Sequence, residues 1–236
     1  MSWFTNLWAT TIGKKIVMAA TGLILFGFVL AHMSGNLLFW AGPEVFNAYA
    51  ATLKGNPLLL WGARLTLLAV FPLHIASAIQ LVRLNKAARP QGYRKLRSAS
   101  STYASRTMRY GGFLLAAFVV YHILQYTAHV TDPEFATYTT TEGTHDAYRM
   151  VMVGFSSPAV VITYLVAMVC LAMHLDHGAW SLLQTLGASH PKYDGLRRNA
   201  ARAFAVVLFL GFCSVPIGVL AGLTPDAAAS VAGVLR

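Results

Sequence analysis

The sequence predicts an all-α integral membrane bundle of five transmembrane helices, with the N-terminus cytoplasmic and the C-terminus outside. Three observations carry that expectation. Of 236 residues, 56% are hydrophobic and only 11% charged, against about 25% charged in a soluble domain. Five apolar runs are each long enough to cross hydrocarbon about 30 Å thick. The basic residues also fall on one side of those runs. Two cysteines, Cys170 and Cys213, both in apolar runs, make neither a disulfide framework nor a CxxC metal site.

The expected spans are 16–40, 58–82, 110–128, 158–183 and 203–223. The second follows Gly55-Asn56-Pro57, a turn signal. The fourth has Ser156 and Ser157 as candidate caps and Pro158 in its first turn. No successive ten-residue segments alternate with period two, so a β-barrel is not expected. There is no internal repeat, and residues 1–236 read as a single domain. The first apolar run is too long for a signal-peptide core and lacks a clean cleavage site, so it reads as a retained span.

Orientation follows from the positive-inside rule. Lys14 and Lys15 precede span one. Arg83, Lys86, Arg89, Arg94, Lys95, Arg97, Arg106 and Arg109 lie between spans two and three. Lys192, Arg197, Arg198 and Arg202 lie between spans four and five. These are 14 of the 18 basic residues. The opposite side holds Glu44, Asp132, Glu134, Glu142, Asp146 and Asp226. Topology therefore accounts for the basic surplus, and nucleic-acid binding is not expected.

Ionisable residues within spans are costly and are functional candidates by default. Spans one to four carry His32, His74, His122 and His174; span five carries none. At about 1.5 Å per residue from the cytoplasmic edge, His32 lies roughly 24 Å deep and His122 roughly 18 Å. On the same rise His74 lies roughly 12 Å deep and His174 roughly 13 Å. The set splits into a deep pair and a shallow pair. Two neutral imidazoles from two helices at one depth are what a bis-histidine haem b needs. Two such pairs imply two stacked haems. Two histidines with no cysteine or carboxylate at their depth are too few for a closed zinc site. Gly22, Gly27, Gly35, Gly111, Gly112 and Gly178 offer room for a porphyrin or, equally, close helix packing. His177, three residues after His174, is the rival inner ligand; His145 and His190 read as solvated loop residues.

The stretch His32-Met33-Ser34-Gly35-Asn36-Leu37 and the stretch His174-Leu175-Asp176-His177-Gly178-Ala179-Trp180-Ser181, followed by Gln184-Thr185-Leu186-Gly187, resemble the dihaem cytochrome b membrane anchor of succinate dehydrogenase and fumarate reductase. The resemblance covers nearly the whole chain, including the order of histidines in the first four of five spans. It implies axial ligands His32 and His122 for a distal haem, and His74 and His174 for a proximal one. It also implies a non-flavin subunit of a respiratory complex in the bacterial cytoplasmic membrane. An iron-sulfur subunit, fed by a flavoprotein subunit, would exchange electrons with it at the basic cytoplasmic face. The haems would then couple that relay to a membrane quinone, menaquinone being the expected one. The chain itself has no G-x-G-x-x-G and no cluster-binding cysteine set.

Anionic haem propionates need cationic partners. Arg64, six residues inside span two, is a candidate for the deep haem, with snorkelling to headgroups as the alternative. Arg149, in Arg149-Met150-Val151, resembles a family segment against the distal haem. Arg83 and Gln184 are candidates at the proximal haem. Glu44 and His129 are candidates for a quinone site at the outer edge, and Asp176 for one near the inner edge. The competing readings are the cytochrome b anchor of a formate dehydrogenase or hydrogenase, a haem-free anchor, and a proton-coupled transporter. The transporter would be expected to show paired, Gly/Pro-broken spans, which this sequence lacks.

Overall fold

The computed structural model describes residues 8–88, 103–188 and 190–225. Arg89, Arg94, Lys95 and Arg97 of the expected basic loop, and Asp226, lie outside the described residues. The described chain is helical without a strand; one isolated bridge pairs Thr139 with His145. Helices α1 (Thr11–Leu37), α2 (Pro43–Gly55), α3 (Pro57–Ala87), α4 (Tyr103–Tyr126), α5 (Ala147–Phe155), α6 (Pro158–Thr185) and α7 (Asp194–Leu220) follow in order, with 3-10 turns at Leu38–Ala41, Pro133–Thr137 and Pro191–Tyr193. Five segments are long and apolar enough to cross a membrane: Thr11–Ala41, Pro57–Ala87, Ser105–Tyr126, Pro158–Thr185 and Pro191–Leu220.

Local chemistry sets the boundaries. The Thr10 hydroxyl accepts the Gly13 N–H at 2.9 Å and caps α1. After the turn at Leu38–Ala41 the chain reverses at Gly42, whose φ of 97° suits glycine, and Pro43 opens α2. Asn56 caps α3 by accepting the Leu59 N–H at 3.0 Å, with Pro57 in the first turn. Pro72 removes one backbone donor from α3 two residues before His74. At α6 the cap position is Ser157, but its side chain makes no capping bond; Pro158 starts the helix as expected. The fifth helix begins at Asp194, well before the expected 203, because its first turns are basic and extend past the apolar window.

Helices α6 and α7 pack most closely, around Ala167, Met168 and Cys213, while Met33 of α1 joins Leu175, Ala205 and Leu208. Helix α1 lies on α3, and α4 lies on α6. The two pairs are joined through α7 and through contacts of α1 with α6; α1 barely meets α4, and α3 barely meets α4 or α6. An apolar bundle of this kind normally closes such gaps by van der Waals packing. Here it does not: along α4 only Gln125, near the C-terminal end, is buried among the described residues.

One end of the bundle is covered by α2, α5 and the two 3-10 turns at Leu38–Ala41 and Pro133–Thr137. Apart from Leu38–Trp40, the end of the expected first span, none of these belongs to the expected spans. Phe39 and Phe135 are fully buried there, and Phe39 stacks on Tyr148 with centroids 4.6 Å apart. Asn47 ties α2 to α5: its amide donates to Asp146 Oδ1 at 3.0 Å and its carbonyl accepts the Tyr148 N–H at 2.9 Å. Gly35, a candidate for porphyrin room, instead faces the Tyr49 hydroxyl of α2, so its smallness serves packing. At the opposite, basic end Arg197 and Arg198 of α7 lie over the Trp180 ring of α6, at 5.1 and 4.5 Å from its centroid.

Candidate functional site: two facing histidine pairs

Four helices bring four imidazoles into two pairs across the gaps just described. His32 of α1 and His122 of α4 have ring centroids 5.8 Å apart, nearer the capped end. His74 of α3 and His174 of α6 have centroids 6.2 Å apart, deeper toward the basic end. These are the pairs that depth counting groups. In each, the rings meet although their helix backbones barely do. His174, not His177, is the ring that meets His74.

The second nitrogen of each ring decides what the first can do. His74 Nδ1 lies 3.1 Å from the Thr21 hydroxyl. That hydroxyl has one proton, which it donates to the Val17 carbonyl at 2.7 Å. Its oxygen must therefore accept from His74 Nδ1–H, which leaves the Nε2 lone pair of His74 free. The capped-end pair repeats the arrangement. His122 Nδ1 lies 3.0 Å from the Tyr164 hydroxyl, which donates its one proton to Gln125 Oε1 at 2.9 Å. His122 Nδ1–H then donates to the tyrosine oxygen, and His122 Nε2 is left as an acceptor. His32 Nε2 lies 3.4 Å from the Asn36 amide. His174 Nδ1 is buried with no hydrogen-bond partner.

Space follows the same plan. A Cβ on Gly22 would stand 3.3 Å from His74 Cε1, so the missing side chain admits that ring. Gly27, Gly111, Gly112 and Gly178 face open space, and Gly111 lines a cleft with Thr107, Cys170 and His174. A separate groove of about 530 Å³ opens between α1 and α3, lined by Ile24, Phe28, Leu59 and Thr66 among others. Phe28 stacks on His32, with centroids 5.4 Å apart, and stands between that groove and the pair.

The donor set fits haem better than a bare metal ion. Among the described residues no three His, Cys, Asp or Glu side chains converge. Two metal–imidazole bonds of about 2 Å, with the ring radius added at each end, place centroids on the order of 6 Å apart. The observed 5.8 and 6.2 Å match that span.

The other candidates scatter. Arg64 lies over Trp61, 5.2 Å from its centroid, and is close enough to Lys54 for the two charges to repel. Burial first, and Arg64 second, hold the Lys54 ammonium below its ordinary range. This pair of cations was not evident as a pair in the sequence. Arg149 rests on Tyr138, 4.5 Å from its centroid, in the cap and not against either histidine pair. Glu44 is exposed in the first turn of α2. His129, at φ 52°, stacks on His145 with centroids 5.7 Å apart. His145 is therefore no freely solvated loop residue: its Nε2 is buried without a partner, and burial, with Lys54 and His129 nearby, lowers its pKa. His190 is exposed. Arg83 and Gln184 are exposed, and Asp176 is half-buried.

The sequence reading missed Thr21, Tyr164, Gln125 and Lys54. A threonine or tyrosine in an apolar span carries no sign of the histidine it will meet 53 or 42 residues away. Comparison of the chain with protein-family models, with curated proteins and with solved structures finds no match in any of the three.

Proposed function

We propose that this chain is the membrane-anchor cytochrome b of a succinate:quinone oxidoreductase, holding two bis-histidine b haems that link an iron-sulfur subunit to membrane quinone. The observation that carries the reading is the convergence of four imidazoles, one from each of four helices, into two facing pairs at two depths. His74 and His122 each have Nδ1–H committed to a neighbouring hydroxyl and Nε2 left to ligate. Bound haem iron would carry one electron at a time between its ferric and ferrous states. Held by two histidines, such a haem would offer no open site for oxygen or substrate and would serve electron transfer alone.

His74 and His174 would hold the proximal haem; His32 and His122 would hold the distal one. Arg64, joined by Lys54, supplies positive charge for a propionate at the capped side, and Arg149 is a second candidate there. Glu44 and His129 remain candidates for quinone contact. The N-terminus and the basic end, with Lys14, Lys15, Arg197 and Arg198, face the cytoplasm on this reading and dock the iron-sulfur subunit, which in turn carries the flavoprotein. The cap faces outward from a bacterial cytoplasmic membrane. These functional assignments draw on the family resemblance of the His32 and His174 segments as well as on geometry.

A reduced-minus-oxidised spectrum of the purified complex tests the reading. The expected result is a b-type difference spectrum that develops on adding succinate or a reduced quinone. A preparation with co-purifying subunits but no haem signal would overturn it.

A further inference from the structure

Each histidine pair contains one ring whose outer nitrogen is anchored by a hydroxyl from a neighbouring helix. We infer that Thr21 and Tyr164 are positioning residues that separately set the reduction potentials of the two haems, Thr21 through His74 and Tyr164, backed by Gln125, through His122. The inference rests on the haem reading above, and goes beyond it by assigning an electronic role to residues that touch no haem.

The geometry supports a directed effect. Thr21 is 4% exposed, and Gln125 is fully buried. Both hydroxyls have their single proton committed elsewhere, to Val17 O and to Gln125 Oε1. They can only accept from the imidazole. An N–H that donates to a fixed acceptor makes the opposite ring nitrogen a stronger electron donor. A stronger donor favours ferric over ferrous iron and so lowers the potential. The partners of these anchored rings differ: His174 Nδ1 has no hydrogen-bond partner at all. The hydrogen bonding that can tune the proximal pair therefore falls on His74, which Thr21 anchors beside the Met18 carbonyl of the same helix. Gln125 has a second task. Without its carbonyl, the Tyr164 proton is free to turn to His122 Nδ1, which would place the imidazole proton on Nε2, the nitrogen that must ligate.

The test is a spectro-electrochemical titration of the whole complex, with low-spin ferric signals recorded by electron paramagnetic resonance. Tyr164→Phe is expected to keep both haems and raise the distal potential only, by up to about tenfold in the reduction equilibrium, ~59 mV for a one-electron couple. Thr21→Val is expected to raise the proximal potential only. Thr21→Ser, which keeps the hydroxyl, should restore it. Two haems with wild-type potentials in both Tyr164→Phe and Thr21→Val would overturn the inference, as would equal shifts in Thr21→Ser and Thr21→Val. If Tyr164→Phe fails to assemble, the Thr21→Val and Thr21→Ser comparison decides alone. Absence of haem from the wild-type complex would instead sink the functional reading, so the two failures are distinguishable.

Discussion

On the proposed reading, Gly22 offers a way to disturb one haem site without replacing either of its histidines. Its missing side chain admits the His74 ring: an added Cβ would lie 3.3 Å from His74 Cε1 and 3.7 Å from Nδ1. The ring cannot simply retreat, because Thr21 holds its Nδ1 at 3.1 Å. Alanine therefore demands a shift of a few tenths of an ångström, and leucine demands far more. Overpacking of that kind costs about 1–3 kcal/mol. If the strain falls on the ligated geometry, proximal haem retention in Gly22→Leu should weaken by about 5- to 150-fold, at 1.4 kcal/mol per tenfold. Gly27 is the internal control, since a Cβ there meets nothing within 4 Å. Haem-to-protein ratio and redox titration read the result. Gly22→Leu should lose or shift the proximal haem and leave the distal one, with Gly27→Ala silent. A Gly22→Leu protein with both haems and unchanged potentials would show that the gap at Gly22 does not serve the His74 site, as would loss of the distal haem alone.

Three further outcomes are expected. Asn47→Ala removes two bonds between α2 and α5 and strands the buried Tyr148 N–H, so the cap should lose about 2–4 kcal/mol; faster amide exchange across 133–155 and a lower Tm in detergent would report it. His145 has a folded pKa below its ordinary 6.5, with burial the largest cause. The unfolded chain thus binds more protons just below that value, and cap stability should be full above pH 6.5 and fall as pH drops below it; His145→Gln should flatten that pH dependence of amide exchange. For topology, a cysteine replacing Glu142 should react with an impermeant maleimide in intact cells, whereas one replacing Lys192 should react only after permeabilisation. Native Cys170 and Cys213 lie within α6 and α7 and provide the background.

The five spans were legible because hydrocarbon imposes one rule, about 20 apolar residues per crossing, that needs no tertiary information. The grouping of the histidines was legible for a related reason: rise per residue converts position into depth, and His74 and His174 do meet. Depth says nothing about azimuth, so it could not show that α1 and α4 leave a gap for His32 and His122, or that Gly35 faces Tyr49. The cap was hidden for another reason. Residues 43–55 and 147–155 are too short to span, and Phe39, Phe135 and Tyr148 find one another only after the bundle forms. The Thr21 and Tyr164 contacts are long-range, and a threonine can satisfy its hydroxyl within its own helix, as Thr21 does through Val17, without signalling a second partner.

On the proposed reading the four imidazoles act as two independent pairs. Haem content of the four single His→Ala variants measures this directly. His74→Ala and His174→Ala should give the same one-haem spectrum, and His32→Ala and His122→Ala should give the complementary one. Four variants that each retain two haems, or losses that cross the pairs, would contradict it.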